Sequence, residues 1–231
     1  MKKHTLLRWG FVVAMVSIPW LYLIILWPAL PATIPVHFDL HGDPDKFGPK
    51  QDVFIGPAVC SAASLLMYLL LTNIYKLDPK RQAASQPGLF TRIAMAVVVF
   101  LSCVAILILN WAARQHTASL HLFLVMMGLL FAYLGNIMHS LKPNYFAGFR
   151  LPWTLESEDN WKATHRIVSK IWFGGGLLIA LLALFVPPFP MFFMMMAIVL
   201  AMVAIPIVYS YRYFKHHKPG NSLPRAGVDQ S

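Results

Sequence analysis

Six long apolar runs, at about 10–30, 53–75, 91–113, 119–139, 168–187 and 190–211, decide what this chain can fold into. Each is close to the ~20 residues a helix needs to cross ~30 Å of hydrocarbon. Inside a bilayer no water can satisfy the backbone, so each run must close its own hydrogen bonds, as a helix does. The expected fold class is all-α: an integral membrane protein with six transmembrane helices. Composition agrees, since 58% of the 231 residues are hydrophobic and only 12% are charged. Pro19 and Pro206 lie inside the first and last runs and are expected to bend them. Pro187, Pro188 and Pro190 part the last two runs and predict a tight hairpin. Lys2, Lys3 and Arg8 give the first run the basic start of a secretory leader. Its apolar part exceeds the ~7–15 residues of a leader's core, so it is read as a retained helix.

The basic residues orient these spans. Sixteen of the nineteen Lys and Arg residues fall in the N-terminus, the second and fourth loops with their helix ends, and the C-terminal tail. They are Lys2, Lys3, Arg8; Lys76, Lys80, Arg81, Arg92; Lys142, Arg150, Lys162, Arg166, Lys170; and Arg212, Lys215, Lys218, Arg225. The alternate loops keep only Lys46, Lys50 and Arg114. The positive-inside rule then puts both termini in the cytoplasm, which an even number of spans permits. A net charge of +10 is thus explained by orientation, and no direct nucleic-acid partner is expected. The direct partner that composition implies is the lipid bilayer.

None of the nine acidic residues lies in an apolar run. Proton- and ion-coupled transporters usually bury a carboxylate at depth, so coupled transport is disfavoured, while a passive path stays open. Ser17, Ser61, Ser64, Ser102, Asn73, Asn110 and Asn136 are among the uncharged polar groups there, and interhelical hydrogen bonding is their expected role. Cys60 and Cys103 sit in apolar runs and suggest no disulfide or metal framework. The chain has no G-x-S-x-G and no H-E-x-x-H, so it is read as a non-enzyme without a cofactor.

Two loops carry more than connection. The first, residues 31–52, is rich in turn formers: Gly42, Pro44, Gly48 and Pro49, with Asp43 able to close an Asx turn. If Val36 to His41 is extended, His37, Asp39 and His41 share one side and form a weak candidate metal site. The fourth loop sets Tyr145, Phe146, Phe149, Trp153 and Trp161 among Arg150, Lys162, His165 and Arg166. Amphipathic rings beside cations suit a membrane–water boundary. Pro143, Gly148 and Pro152 exclude a continuous helix over 140–152. Arg150, between aromatics, could lay its stem along the membrane and offer its head to a phosphate or carboxylate. Ser157 reads as an N-cap, with Glu158 and Asp159 in the first turn. The following helix carries a basic stripe, Lys162, Arg166 and Lys170, beside a face of Trp161, His165, Val168 and Trp172. Gly174, Gly175 and Gly176 then permit close helix packing.

This wording resembles the SdpI family of bacterial immunity proteins, over about residues 128–206. The residues that carry the resemblance are Gly135 and Asn136, Lys142, Pro143, Asn144, Tyr145 and Phe146, then Gly148, Arg150, Pro152, Trp153, Thr154 and Leu155, then Trp161, Thr164, His165, Arg166 and Lys170. Leu151, Val168 and Ser169 depart from the family's usual pattern. The first loop, with Leu30-Pro31, Ile34-Pro35, His37, Gly42, Asp45 and Lys50, resembles a short domain of unknown function that often precedes the SdpI domain, over about residues 16–62. The domain organisation expected is an N-terminal two-helix unit over 1–75, a linker and third span over 76–127, an SdpI-like domain over 128–211 and a basic cytoplasmic tail over 212–231. The resemblance implies a multi-pass protein of the bacterial cytoplasmic membrane. It would give immunity to, or sense, a membrane-active peptide toxin by binding, and could sequester a cytoplasmic repressor. Asn136, Lys142, Pro143, Asn144, Tyr145, Phe146, Gly148, Arg150, Pro152, Trp153, Trp161, Thr164, His165, Arg166 and Lys170 are the functional residues it implies. A small-solute permeation protein and a metal-dependent membrane protein stand as alternatives.

Overall fold

A computed structural model describes residues 2–76, 86–114 and 120–217. Asp78, Lys80, Arg81, Lys218, Arg225 and Asp229 lie outside the described residues, as does the tail from residue 218 on. The described chain forms α1 (Lys2–Leu26), a hairpin of β1 (Thr33–Phe38) and β2 (Pro44–Pro49), α2 (Ile55–Asn73), α3 (Pro87–Arg114), α4 (Leu120–Met138), α5 (Pro152–Glu156), α6 (Glu158–Leu182) and α7 (Pro188–His216). All the helices except the short α5 are long and apolar enough to cross a membrane, which gives the six spans the apolar runs require. Their outer surface is apolar: Leu6, Leu21, Ile24, Phe185 and Leu200 are all exposed, as lipid-facing side chains are.

With so much apolar surface turned outward, polar bonds and small residues hold the helices together. The first three spans pack around Val12, Tyr68, Ala94 and Val98 at one level. At another they pack around Leu23, Ile34, Val53 and Leu109. Trp20 Nε1 donates to Ser61 Oγ (3.0 Å), and Tyr22 Oη donates to Asn110 Oδ1 (3.0 Å). Ser61 and Asn110 therefore bond between helices as expected. Asn73 instead donates back to Leu69 O in its own helix (2.9 Å).

The last three spans share a core of Leu124, Ile179, Ala183, Met191 and Met202. Along α4 and α6 the backbones touch. A Cβ on Gly128 would lie 2.5 Å from the Ala180 nitrogen, and one on Gly176 would lie 2.5 Å from the Gly128 oxygen. A Cβ on Gly135 would run into the Phe173 nitrogen. Gly128 and Ala132 thus face Gly176 and Ala180 in a small-residue seam, which Gly135 continues against the backbone of Trp172 and Phe173. Of the three consecutive glycines, only Gly176 belongs to it. Gly175 faces the Met202 side chain on α7, and Gly174 faces open space. The two groups of helices meet where Leu89, at the start of α3, packs on Ile137, Leu141 and Trp161.

The first loop is better ordered than its turn formers suggest. β1 and β2 pair antiparallel, with register irregularities on either side of His37. Gly42 takes φ 92° at the turn. The strand ends at Phe38, so Val36 to His41 is not extended throughout, and the grouping of His37, Asp39 and His41 is corrected. His37 Nδ1 meets Asp45 Oδ1 across the hairpin (2.5 Å). Asp39 closes the turn: Oδ1 accepts from the N–H groups of His41 (2.8 Å) and Asp43 (2.9 Å). The Asp43 N–H, chiefly, holds the Asp39 carboxyl below the usual carboxylate range. His41 Nδ1 is 3.4 Å from Asp39 Oδ2, and its ring stacks on Phe189 at the start of α7 (4.7 Å). Among the described residues, no three His, Cys, Asp or Glu side chains are placed to hold a metal ion.

These contacts sort the connections by side. The hairpin meets the end of α3, through Phe38 and Trp111 (5.8 Å), and the start of α7. On the opposite side, the loop after α4 meets the start of α3 and the end of α7. Alternation of this kind is what six successive crossings produce. The basic-residue bias then makes a prediction about absolute orientation. In a variant lacking Cys60 and Cys103, a cysteine at Lys46 should react with an impermeant thiol reagent in intact cells. One at Lys142 should react only after permeabilisation, and the reverse pattern would overturn the assigned orientation.

Candidate functional site

The segment from Leu141 to Arg166 folds as a polar knot under the ends of α3, α4, α6 and α7. Pro143 and Pro152 break the helical path, and Asn144 rebuilds it as a turn. Its Oδ1 accepts from the N–H groups of Phe146 (2.9 Å) and Ala147 (2.8 Å), while its Nδ2 donates to Lys142 O (2.9 Å). Asn144 is buried, so these bonds form away from competing water. Gln86, just before α3, closes the knot from outside. Its Nε2 donates to Ser140 O (2.6 Å), and its Oε1 accepts from the Lys142 N–H (2.8 Å).

Ser157 caps α6 as expected, its Oγ accepting from the Asn160 N–H (3.2 Å). The first turns of α6 then supply the knot's floor. Trp161 is 0% exposed and donates from Nε1 to Leu141 O (2.6 Å). His165 is 1% exposed and stacks on the Trp161 ring at 4.0 Å. Its Nδ1–H donates to Trp161 O (2.9 Å), and its Nε2 accepts from the Phe149 N–H (3.1 Å). Only the neutral ring with its proton on Nδ1 makes both bonds. Gly148, at φ +99°, passes directly over this ring: a Cβ there would strike His165 Nε2 and lie 2.8 Å from Leu141 Cδ2. Glycine is needed at 148 both for the left-handed backbone and for the approach.

A second set of bonds fixes α5 on its own loop and ties α5 and α6 to α7. Thr154 Oγ1 donates to Phe149 O (2.7 Å) and accepts from the Leu151 N–H (2.9 Å). Trp153 Nε1 donates to Ser210 Oγ (3.0 Å). Asn160 Nδ2 donates to Ser210 O (3.1 Å), and its Oδ1 accepts from Thr164 Oγ1 (3.0 Å). Sequence reading overlooked Gln86, Asn160 and Ser210. A small hydroxyl set between Tyr209 and Tyr211, at the end of the apolar stretch of α7, was the available signal for Ser210.

The residues singled out by sequence therefore separate into three groups. Asn144, Trp161, Thr164 and His165 are buried in the knot. Pro143, Tyr145, Phe146, Gly148 and Trp153 are half-buried on its surface. Asn136, Lys142, Arg150, Pro152, Arg166 and Lys170 are exposed. Lys162 also belongs to the exposed stripe but pairs with Glu158 (2.8 Å). Arg150 Nη1 donates to the Tyr145 carbonyl, so its head is turned onto its own loop. The result is a surface of half-buried rings with cations around them, resting on hydrogen bonds internal to the chain.

Residues 140–210, which include the knot, α6 and most of α7, match the model of the SdpI/YfhL protein family. Residues 14–60, which span the second half of α1, the hairpin and the start of α2, match a domain of unknown function, DUF1648. An uncharacterized protein of Archaeoglobus fulgidus is 37% identical over 59 residues, 26% of this chain and 32% of that protein. The chain thus spans about a third of the length of this relative. No solved structure matches.

Proposed function

We propose that this multi-pass membrane protein, which carries an SdpI/YfhL-family segment, gives immunity to, or senses, a membrane-active peptide toxin by binding rather than by catalysis. The observation that carries this reading is the internally satisfied knot. Asn144, Thr154, Trp161 and His165 are spent on holding the loop's shape, while Lys142, Arg150, Arg166 and Lys170 stand on its outside. A surface already ordered before it meets a partner avoids much of the entropic cost of binding. The proposed setting is the bacterial cytoplasmic membrane with both termini inside. In that orientation the hairpin faces an incoming toxin, and the knot's cations face a cytoplasmic regulator that the protein would hold at the membrane.

The test is survival of cells challenged with membrane-active peptide toxins, with each variant present at matched membrane levels. Wild type should protect against at least one of them. Arg150→Ala should lose that protection, and Arg150→Lys should be impaired, because an ammonium cannot reproduce the planar fork of a guanidinium. Full protection by Arg150→Ala would reduce the knot's surface to a membrane anchor.

A further inference from the structure

Between the hairpin, the start of α2 and the end of α3 lies a cavity of about 470 Å³. This is the volume range of small-molecule sites, about 300–1,000 Å³. Its floor is apolar and well packed: Ile34, Val53 and Ala112 are each at most 3% exposed. Phe38 and Trp111 line it with aromatic surface, their rings set edge to face at 5.8 Å. One charged side chain lines it, Asp52.

Asp52 has no hydrogen bond or ion pair through its carboxylate among the described residues. The other three acids of the hairpin are differently placed. Asp39 closes the turn, Asp45 meets His37, and Asp43 is absent from the cavity wall. Lys50, the cation nearest Asp52 in sequence, lies over the Trp27 ring at 4.4 Å and leaves the carboxylate without a counter-charge. Gly48 is what lets the carboxylate sit there: a Cβ at 48 would collide with Asp52 Oδ2.

An apolar cavity with aromatic walls and one unpaired carboxylate is complementary to a cation on an apolar body. We propose that this cavity binds a small organic amine, its ammonium on Asp52 and its apolar part against the Phe38 and Trp111 rings. This site goes beyond the immunity reading and stands whether or not a peptide toxin is the protein's partner.

The experiment uses the full chain in nanodiscs of zwitterionic lipid, with hexylammonium as probe and hexanol as its neutral counterpart. Binding is read by titration calorimetry, with empty discs subtracted. Wild type should bind hexylammonium about tenfold or more tighter than hexanol, the advantage expected of a charge-assisted contact. Asp52→Asn should remove about that tenfold advantage and leave hexanol binding unchanged, which also reports that the cavity is intact. Gly48→Ala, which keeps the charge but displaces the carboxylate, should weaken hexylammonium binding in the same direction. Asp43→Asn should bind within about twofold of wild type, since a charge outside the cavity is screened. The proposal is overturned if hexylammonium binds no better than to empty discs or no better than hexanol. It is equally overturned if Asp52→Asn matches wild type, or if Asp43→Asn weakens binding as much as Asp52→Asn does.

Discussion

Gly176→Ala should cost the protein about 3 kcal/mol of stability, the upper range for forcing one extra carbon into a packed interior. The added methyl would meet the Ala132 nitrogen and the Gly128 oxygen, both backbone atoms, so no rotamer change can relieve it. The neighbouring glycines provide internal controls. Gly174→Ala meets nothing within 4 Å and should be neutral or slightly stabilising, since alanine is the better helix former. Gly175→Ala meets Met202 Sδ at 2.6 Å, a flexible side chain that can move, and should fall between the two. Thermal unfolding of the three variants in the same detergent would give the order directly. If Gly176→Ala melts with Gly174→Ala, α4 and α6 do not touch as described.

Trp161→Ala should cost a further large amount, about 3–5 kcal/mol for a fully buried indole. It removes the bond to Leu141 O and the surface on which His165 stacks. Trp161→Phe keeps most of the volume but leaves a buried carbonyl without its donor, a loss of about 1–3 kcal/mol. Because the knot lies at the helix ends, the damage should be local before it is global. Limited trypsin digestion should cut after Arg150 in Trp161→Ala under conditions that leave wild type whole, and Trp161→Phe should show intermediate sensitivity. Equal resistance in all three would mean that the knot does not depend on this indole.

The spans and the start of α6 were legible in the sequence because each is a local pattern. An apolar run must be helical in lipid, and Ser157 followed by two acids announces a helix start within four residues. What escaped was whatever depends on distant partners. Gly174, Gly175 and Gly176 are the same residue three times over, and only the placement of α4 tells them apart. Gln86 acts on Ser140 and Lys142, more than fifty positions away, across a helical hairpin. The first loop looked like turns because Gly42, Pro44, Gly48 and Pro49 are turn formers, and its two prolines in β2 cannot donate to a ladder, which hid the pairing that the structure shows. Most of the candidate site was visible as a string of residues. The division of that string into buried supports and exposed cations was not, since tryptophan, histidine and asparagine serve either purpose and only burial decides.

α7 is held near both ends, by His41 on Phe189 and by Trp153 and Asn160 on Ser210. These two attachment points are twenty-one residues apart, about 32 Å along a helix axis, which is nearly the ~30 Å of a bilayer's hydrocarbon core. The helix is therefore a ruler set to membrane thickness, with a loop fastened at each mark. A bilayer that thins must tilt a helix of fixed length, at a cost that rises with each ångström of mismatch. Here a tilt cannot stay within the lipid: it must drag on the hairpin at one surface or on the polar knot at the other.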